Sequence, residues 1–176
     1  INVKSKKGEG TTFTVTVTLS DSQNKHEAAG EEYISPEKMI VLIVDDDPVA
    51  CDHAKLVLEE VGISAEVAHS GAEAVDMEQL RHARREPYNL ILVDWKMPEM
   101  DGVETTRRIR SIVGHESAII ILTAYNWDDI LEEATSAGVD SFIPKPLFAN
   151  AIMEEFHAAM KRKDSGNTEP HKADLN

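Results

Sequence analysis

One cysteine, Cys51, stands among 176 residues. No internal disulfide can form, and a reducing, cytoplasmic setting suits the chain. Cys51 itself reads as a small apolar residue on a helix. No apolar run approaches the roughly 20 residues of a membrane span, so no direct membrane contact is expected. No signal peptide opens the chain, and a first residue of Ile1 reads as the interior of a longer protein, whose parent could be membrane-anchored. Positive charge is scarce. Lys and Arg number 18 against 32 Asp and Glu, for a net charge of −14. That balance argues against nucleic acid and anionic membrane as partners, since both take basic patches. The seven histidines lack metal-ligand spacing. His53, His69, His82, His115 and His157 read as surface or boundary residues. A phosphate loop is missing too: Gly8-Glu9-Gly10 is not followed by Gly-Lys-Ser/Thr. There is no internal repeat.

What is present has room for one full core and part of another domain. Residues 1–20 open with a Gly8-Glu9-Gly10 turn and then alternate strictly. Phe13, Val15, Val17 and Leu19 point one way, while Thr12, Thr14, Thr16 and Thr18 point the other. This is a half-buried strand, with Ile1 and Val3 on its hairpin partner. A lone hairpin is marginal in water, so its apolar face calls for a further partner. The segment Ile1-Asn2-Val3-Lys4-Ser5, with Gly8-Glu9-Gly10-Thr11-Thr12-Phe13-Thr14-Val15, resembles the closing hairpin of the histidine-kinase ATP-binding domain. Residues 21–38 are polar, contain Gly30 and Pro36, and read as a linker, with Tyr33 and Ile34 as candidate anchors to the second domain.

From residue 39 the chain alternates strand and helix five times. Strands are expected at Met39–Val44, Ile63–Ala68, Asn89–Val93, Ala118–Leu122 and Val139–Ile143. Helices are expected from Pro48 to Val61, Ser70 to about Arg85, Asp101 to Val113, Asn126 to Ala137 and Leu147 to about Lys161. Asp47 is the natural N-cap before Pro48, Ser70 and Glu73 match a capping box, and Gly62 and Gly138 end helices. The alternation predicts an α/β fold: a doubly wound, five-stranded parallel sheet with helices on both faces. Residues 163–176 show no periodicity and read as a disordered tail.

Four of these strands end on polar residues: Asp45 with Asp46, Asp94, Thr123 and Lys145. In a parallel sheet all these ends share one edge, where open α/β sheets place their ligands. Three carboxylates so close repel one another unless a cation is present. Magnesium is the expected one, since it binds through one or two carboxylates and keeps waters for an incoming phosphate. A carboxylate can accept a phosphoryl group to form an acyl phosphate. That transfer needs positioning and charge neutralisation above all, which the Lys145 ammonium and the Thr123 hydroxyl can supply beside the cation.

Val44-Asp45-Asp46-Asp47-Pro48, Asp94-Trp95-Lys96-Met97-Pro98-Glu99-Met100-Asp101-Gly102, Leu122-Thr123-Ala124 and Lys145-Pro146-Leu147 are together highly specific. Residues 39–162 resemble the receiver domain of two-component response regulators, in the setting of a hybrid histidine kinase. The resemblance implies that Asp94 takes a phosphoryl group from a phosphohistidine. Magnesium would sit on Asp46, Asp94 and the Lys96 carbonyl, with Asp45 holding it through water. It also implies the flavodoxin-like strand order 2-1-3-4-5, a cis Lys145–Pro146 bond, and a switch pairing Thr123 with Phe142. The alternative for Phe142 is a partly exposed core residue. Lys96 and Tyr125, each two residues past a site residue, are expected to flank the acyl phosphate and set its lifetime. The implied partners are the histidine-bearing dimerisation helices of the parent kinase and a histidine phosphotransferase. They would dock on the first helix, around Val49, Ala50 and Leu56-Val57-Leu58. Two rivals are weaker. A magnesium-dependent aspartyl-phosphate phosphatase would place an Asp where Lys96 stands, and a pseudo-receiver would lack one of Asp46, Asp94, Thr123 or Lys145.

Overall fold

The computed structural model describes residues 1–17, 34–124, 130–164 and 171–172. The chain divides into two units, Ile1–Glu32 and Tyr33–Asn176.

The first unit holds an antiparallel hairpin of β1 (Asn2–Lys6) and β2 (Gly10–Thr14), with Val3 opposite Phe13. Gly8 and Gly10 take the positive φ that the turn requires. The second strand is shorter than the alternation suggests. Its ladder ends at Asn2↔Thr14, the last pair β1 offers, so Val15 and Val17 lie beyond it. Leu19 lies outside the described residues. Ile1, Val3, Phe13, Val15 and Val17 are all exposed.

The second unit begins earlier than residue 39. Pro36–Lys38 form a 3-10 turn and Ile34 packs against the core, so residues 34–38 belong to the domain and not to a linker. Tyr33 lies outside the described residues. The sheet contains β3 (Val41–Val44), β4 (Ala65–Ala68), β5 (Leu90–Asp94), β6 (Ala118–Thr123) and β7 (Ser141–Pro144). Their spatial order is β4-β3-β5-β6-β7, the flavodoxin-like order, and all pairs are parallel. The helices are α1 (Pro48–Glu59), α2 (Gly71–Ala83), α3 (Gly102–Val113), α4 (Leu131–Ala137) and α5 (Ala149–Asp164). The expected start of α4 at Asn126 falls outside the described residues.

Period-two alternation of apolar residues on the central strands divides the core. Ile43, Leu92, Ile120 and Ile143 face α1 and α5. Leu42, Ile91 and Ile119 face α2 and α3. Ile121 and Phe142 meet Val103 of α3 and Ala134 and Ala137 of α4 on that second side.

Three strands start two residues later than expected, and hydrogen bonding explains each. At the end of α1, the Ile63 amide bonds the Leu58 carbonyl and Gly62 bonds Glu59. At the end of α4, Val139 bonds Ala134 and Gly138 bonds Thr135. Both are Schellman closures, with the glycine at φ +81° and +89° respectively. They consume the amides that sequence pattern assigns to the following strand. Met39 is likewise held in the 3-10 turn through the Pro36 carbonyl. The tail also departs from expectation. α5 continues to Asp164, and His171–Lys172 form β8, a short parallel strand on β7.

Candidate functional site

Asp45, Asp94, Thr123 and Lys145 converge on one edge of the sheet because each follows or ends a buried parallel strand. Asp45 follows β3 and is itself buried. Its Oδ1 accepts the Asp47 amide at 2.9 Å, and its Oδ2 accepts the Lys145 ammonium at 2.7 Å. Asp47 turns away to cap α1, accepting the Val49 amide at 2.9 Å, as its place before Pro48 implies. Asp94 ends β5; its Oδ1 lies 2.6 Å from Lys145 Nζ and its Oδ2 accepts the Lys96 amide at 2.9 Å. Lys145 therefore bridges two carboxylates. Its own amide bonds the Thr123 carbonyl at 2.8 Å, locking the ends of β6 and β7 together. The Lys145–Pro146 bond is cis.

The loop after Asp94 is held close by Gly102. Its amide bonds the Trp95 carbonyl at 2.8 Å, and a Cβ there would lie 2.5 Å from the Asp94 carbonyl oxygen. Only glycine lets the start of α3 come that near the strand end. Asp101 caps α3 by accepting the Glu104 amide at 2.8 Å.

Burial pulls the Asp94 carboxyl above the usual carboxylate range, and the Lys145 ammonium opposes that by stabilising the charged form. For Lys145, burial works downward, but its hydrogen bonds to Asp45 and Asp94 outweigh it and raise the ammonium above its ordinary value. Asp46 is exposed, and its carboxylate lies within 4.8 Å of those of Asp45 and Asp94. Among the described residues, three carboxylates gather around the Lys145 ammonium, a surplus of negative charge. That surplus of hard oxygen donors fits a divalent cation such as magnesium.

Thr123 is buried at the end of β6, one residue beyond the Asp94↔Leu122 pair. Phe142 is fully enclosed, in contact with the cluster that includes Val103, Ile121 and Ala134, so it is not a partly exposed residue. Trp95 packs on this same cluster, a link between the acidic edge and Phe142 that no local pattern announces. Lys96 is exposed, and its ammonium lies 4.8 Å from the centre of the Trp95 ring. Tyr125 lies outside the described residues. Sequence reading also missed the Cys51 thiol, which donates to the Asp45 carbonyl at 3.3 Å and is pushed up to about 11 by burial and by Asp45.

Residues 41–157 match the response regulator receiver domain family. The chain belongs to that family. Relatives of this receiver include "Probable histidine kinase 2" of Oryza sativa subsp. indica, 37% identical over 138 residues, or 72% of this chain and 13% of that protein. The osmosensing histidine protein kinase SLN1 of Saccharomyces cerevisiae is 35% identical over 70% of this chain and 10% of its own length. Sensor protein EvgS of Escherichia coli is 34% identical over 86% of this chain and 12% of its own. The chain thus spans about an eighth of the kinases it matches. Among solved structures, the receiver domain of the histidine kinase CKI1 from Arabidopsis thaliana, complexed with Mg2+ and BeF3-, superposes with a TM-score of 0.63 at 29% identity. That match covers 70% of this chain and 92% of the other.

Proposed function

We propose that this receiver is the phosphoacceptor module of a phosphorelay and a part of a hybrid histidine kinase. The observation that carries the reading is Lys145 Nζ held between Asp45 and Asp94, with Asp46 close by, at the edge of a receiver sheet. An Asp94 carboxylate oxygen attacks the phosphorus of a phosphohistidine. The P–N bond breaks, and its electron pair returns to the imidazole nitrogen. Lys145 moves from neutralising two carboxylates to neutralising phosphoryl oxygens, and Thr123 donates its hydroxyl to another. Asp46, Asp94 and the Lys96 carbonyl would hold magnesium, with Asp45 acting through water. Bound there, the ion supplies positive charge toward the phosphoryl oxygens. As Thr123 is drawn toward the new group, the space behind it changes and the enclosed Phe142 ring repacks. Lys96 and Tyr125 restrict water at the acyl phosphate and lengthen its life.

The phosphodonor is the histidine-bearing dimerisation helices of the parent kinase, and the onward acceptor is a histidine phosphotransferase. α1 supports this docking. Val57 and Leu58 belong to the core, but Val49 and Leu56 are exposed. A cavity of about 70 Å³ lined by Ala50, His53, Ala54, Pro146 and Leu147 opens beside Lys145. The hairpin of residues 1–14 then closes the kinase's ATP-binding domain, where its exposed apolar face finds cover. Incubation with magnesium and acetyl phosphate, followed by intact-mass measurement, tests the central claim. One phosphoryl addition is expected, absent from Asp94→Asn. Addition that persists in that variant would overturn the assignment.

A further inference from the structure

Without β8, strand β7 would end the sheet and expose a row of unpaired backbone groups to any extended chain. His171 and Lys172 instead lie parallel to it, opposite Ser141 and Phe142. Two features distinguish this strand from the other five. It is two residues long, where they have four to six. Its crossover also has the other hand. The steps from β5 to β6 and from β6 to β7 carry α3 and α4 on one face, whereas the step from β7 to β8 moves the same way across the sheet with α5 on the opposite face. Parallel crossovers take the right hand in about 98% of cases. A strand this short, added with the disfavoured hand, is placed like a peptide that joins a sheet edge by strand addition.

We propose that the segment at His171–Lys172 is a guard strand acting in cis: it docks on the β7 edge and denies that edge to the β7 of a second copy of this chain. Pairing of two identical edges is self-complementary and closes as a two-fold dimer. Tethering favours the cis strand, because it competes at high effective concentration against a partner diluted in solution. The inference concerns the far edge of the sheet and stands apart from the chemistry at Asp94.

The test compares the 176-residue chain with a version ending at Asp164 and with a full-length His171→Pro, Lys172→Pro double variant, which lacks both backbone donors. Amide exchange is followed in the peptide covering Ser141–Ile143, with β3 and β5 as controls for global stability. In both variants the β7 amides not bonded to β6 should exchange about tenfold faster, with β3 and β5 unchanged. Sedimentation velocity should show the intact chain monomeric and both variants dimerising as concentration rises. Equal exchange in all three chains overturns the docking. Faster exchange in variants that stay monomeric overturns the guarding role, as does an intact chain that dimerises as readily as they do.

Discussion

Two side chains show what burial does to charge at the scale of one residue. Lys145 offsets Asp45 and Asp94, so it competes with any cation for the same oxygens. Lys145→Ala should therefore bind magnesium about tenfold more tightly by calorimetry, since one positive charge a few ångström away is gone. The same variant should accept phosphoryl from acetyl phosphate at least about tenfold more slowly, a loss worth about 1.4 kcal/mol in the barrier. Tighter metal with slower transfer separates a neutralising role from a merely structural one. Glu78 is the opposite case. Its side chain is fully buried on α2, and burial pushes its carboxyl up to about 7, with the backbone amide of Tyr88 pulling more weakly the other way. The unfolded value is 4.5, so between about pH 4.5 and 7 the native state binds more protons than the unfolded chain. Stability accordingly falls as pH rises through that window, by on the order of 3 kcal/mol at completion. Denaturant titrations at pH 5.5 and 8 should show about 2 kcal/mol of this loss in the parent, and little of it in Glu78→Gln.

At the scale of the element, helix exits govern where strands begin. α1, α2 and α4 all leave through the same pair of hydrogen bonds, and α2 does so at Arg85, whose amide bonds His82 while Glu86 bonds Arg81. Arg85 adopts φ +62° there, a conformation that glycine takes at the other two exits. Arg85→Gly should stabilise the domain by about 1 kcal/mol by relieving the left-handed strain of an L side chain. A melting temperature that stays level or falls would argue against that account. The N-terminal ends were easier to read. Asp47 and Ser70 cap the helices that sequence assigns them, and Asp101, expected as the first residue of its helix, serves as its cap. One detail differs: Glu73 reaches the His69 amide at 2.7 Å, one residue before the Ser70 cap that a capping box would address.

Across the whole molecule, the end of the sheet away from the acidic edge is tied by Asp140. Its Oδ2 accepts Arg110 of α3 at 2.6 Å, the Ile119 amide of β6 at 2.7 Å and Lys163 of α5 at 3.0 Å. Arg110 also reaches the carbonyls of Gly138, Gly114 and Ser117. Asp140→Ala leaves two largely buried cations facing each other, and should cost about 3–5 kcal/mol by denaturant melt. The double variant that also replaces Lys163 with Met should recover part of that loss, since one of the unpaired charges is then gone.

The order of polar and apolar residues alone determined the parallel α/β sheet and the acids, hydroxyl and ammonium at its edge. Buried strands must be continuous in hydrophobic residues, so the point where Val44 gives way to Asp45, Val93 to Asp94, or Leu122 to Thr123 is a local signal. Helix caps were legible for the same reason, because each depends on a few neighbouring residues. Tertiary structure alone decided which carboxylates Lys145 bridges, how deeply Phe142 is enclosed, and that Trp95 joins its cluster. It also decided that His171–Lys172 covers the last strand. These outcomes depend on distances between groups far apart in the chain. Pattern along a sequence tells which side of an element is apolar, but only packing tells which neighbour it meets.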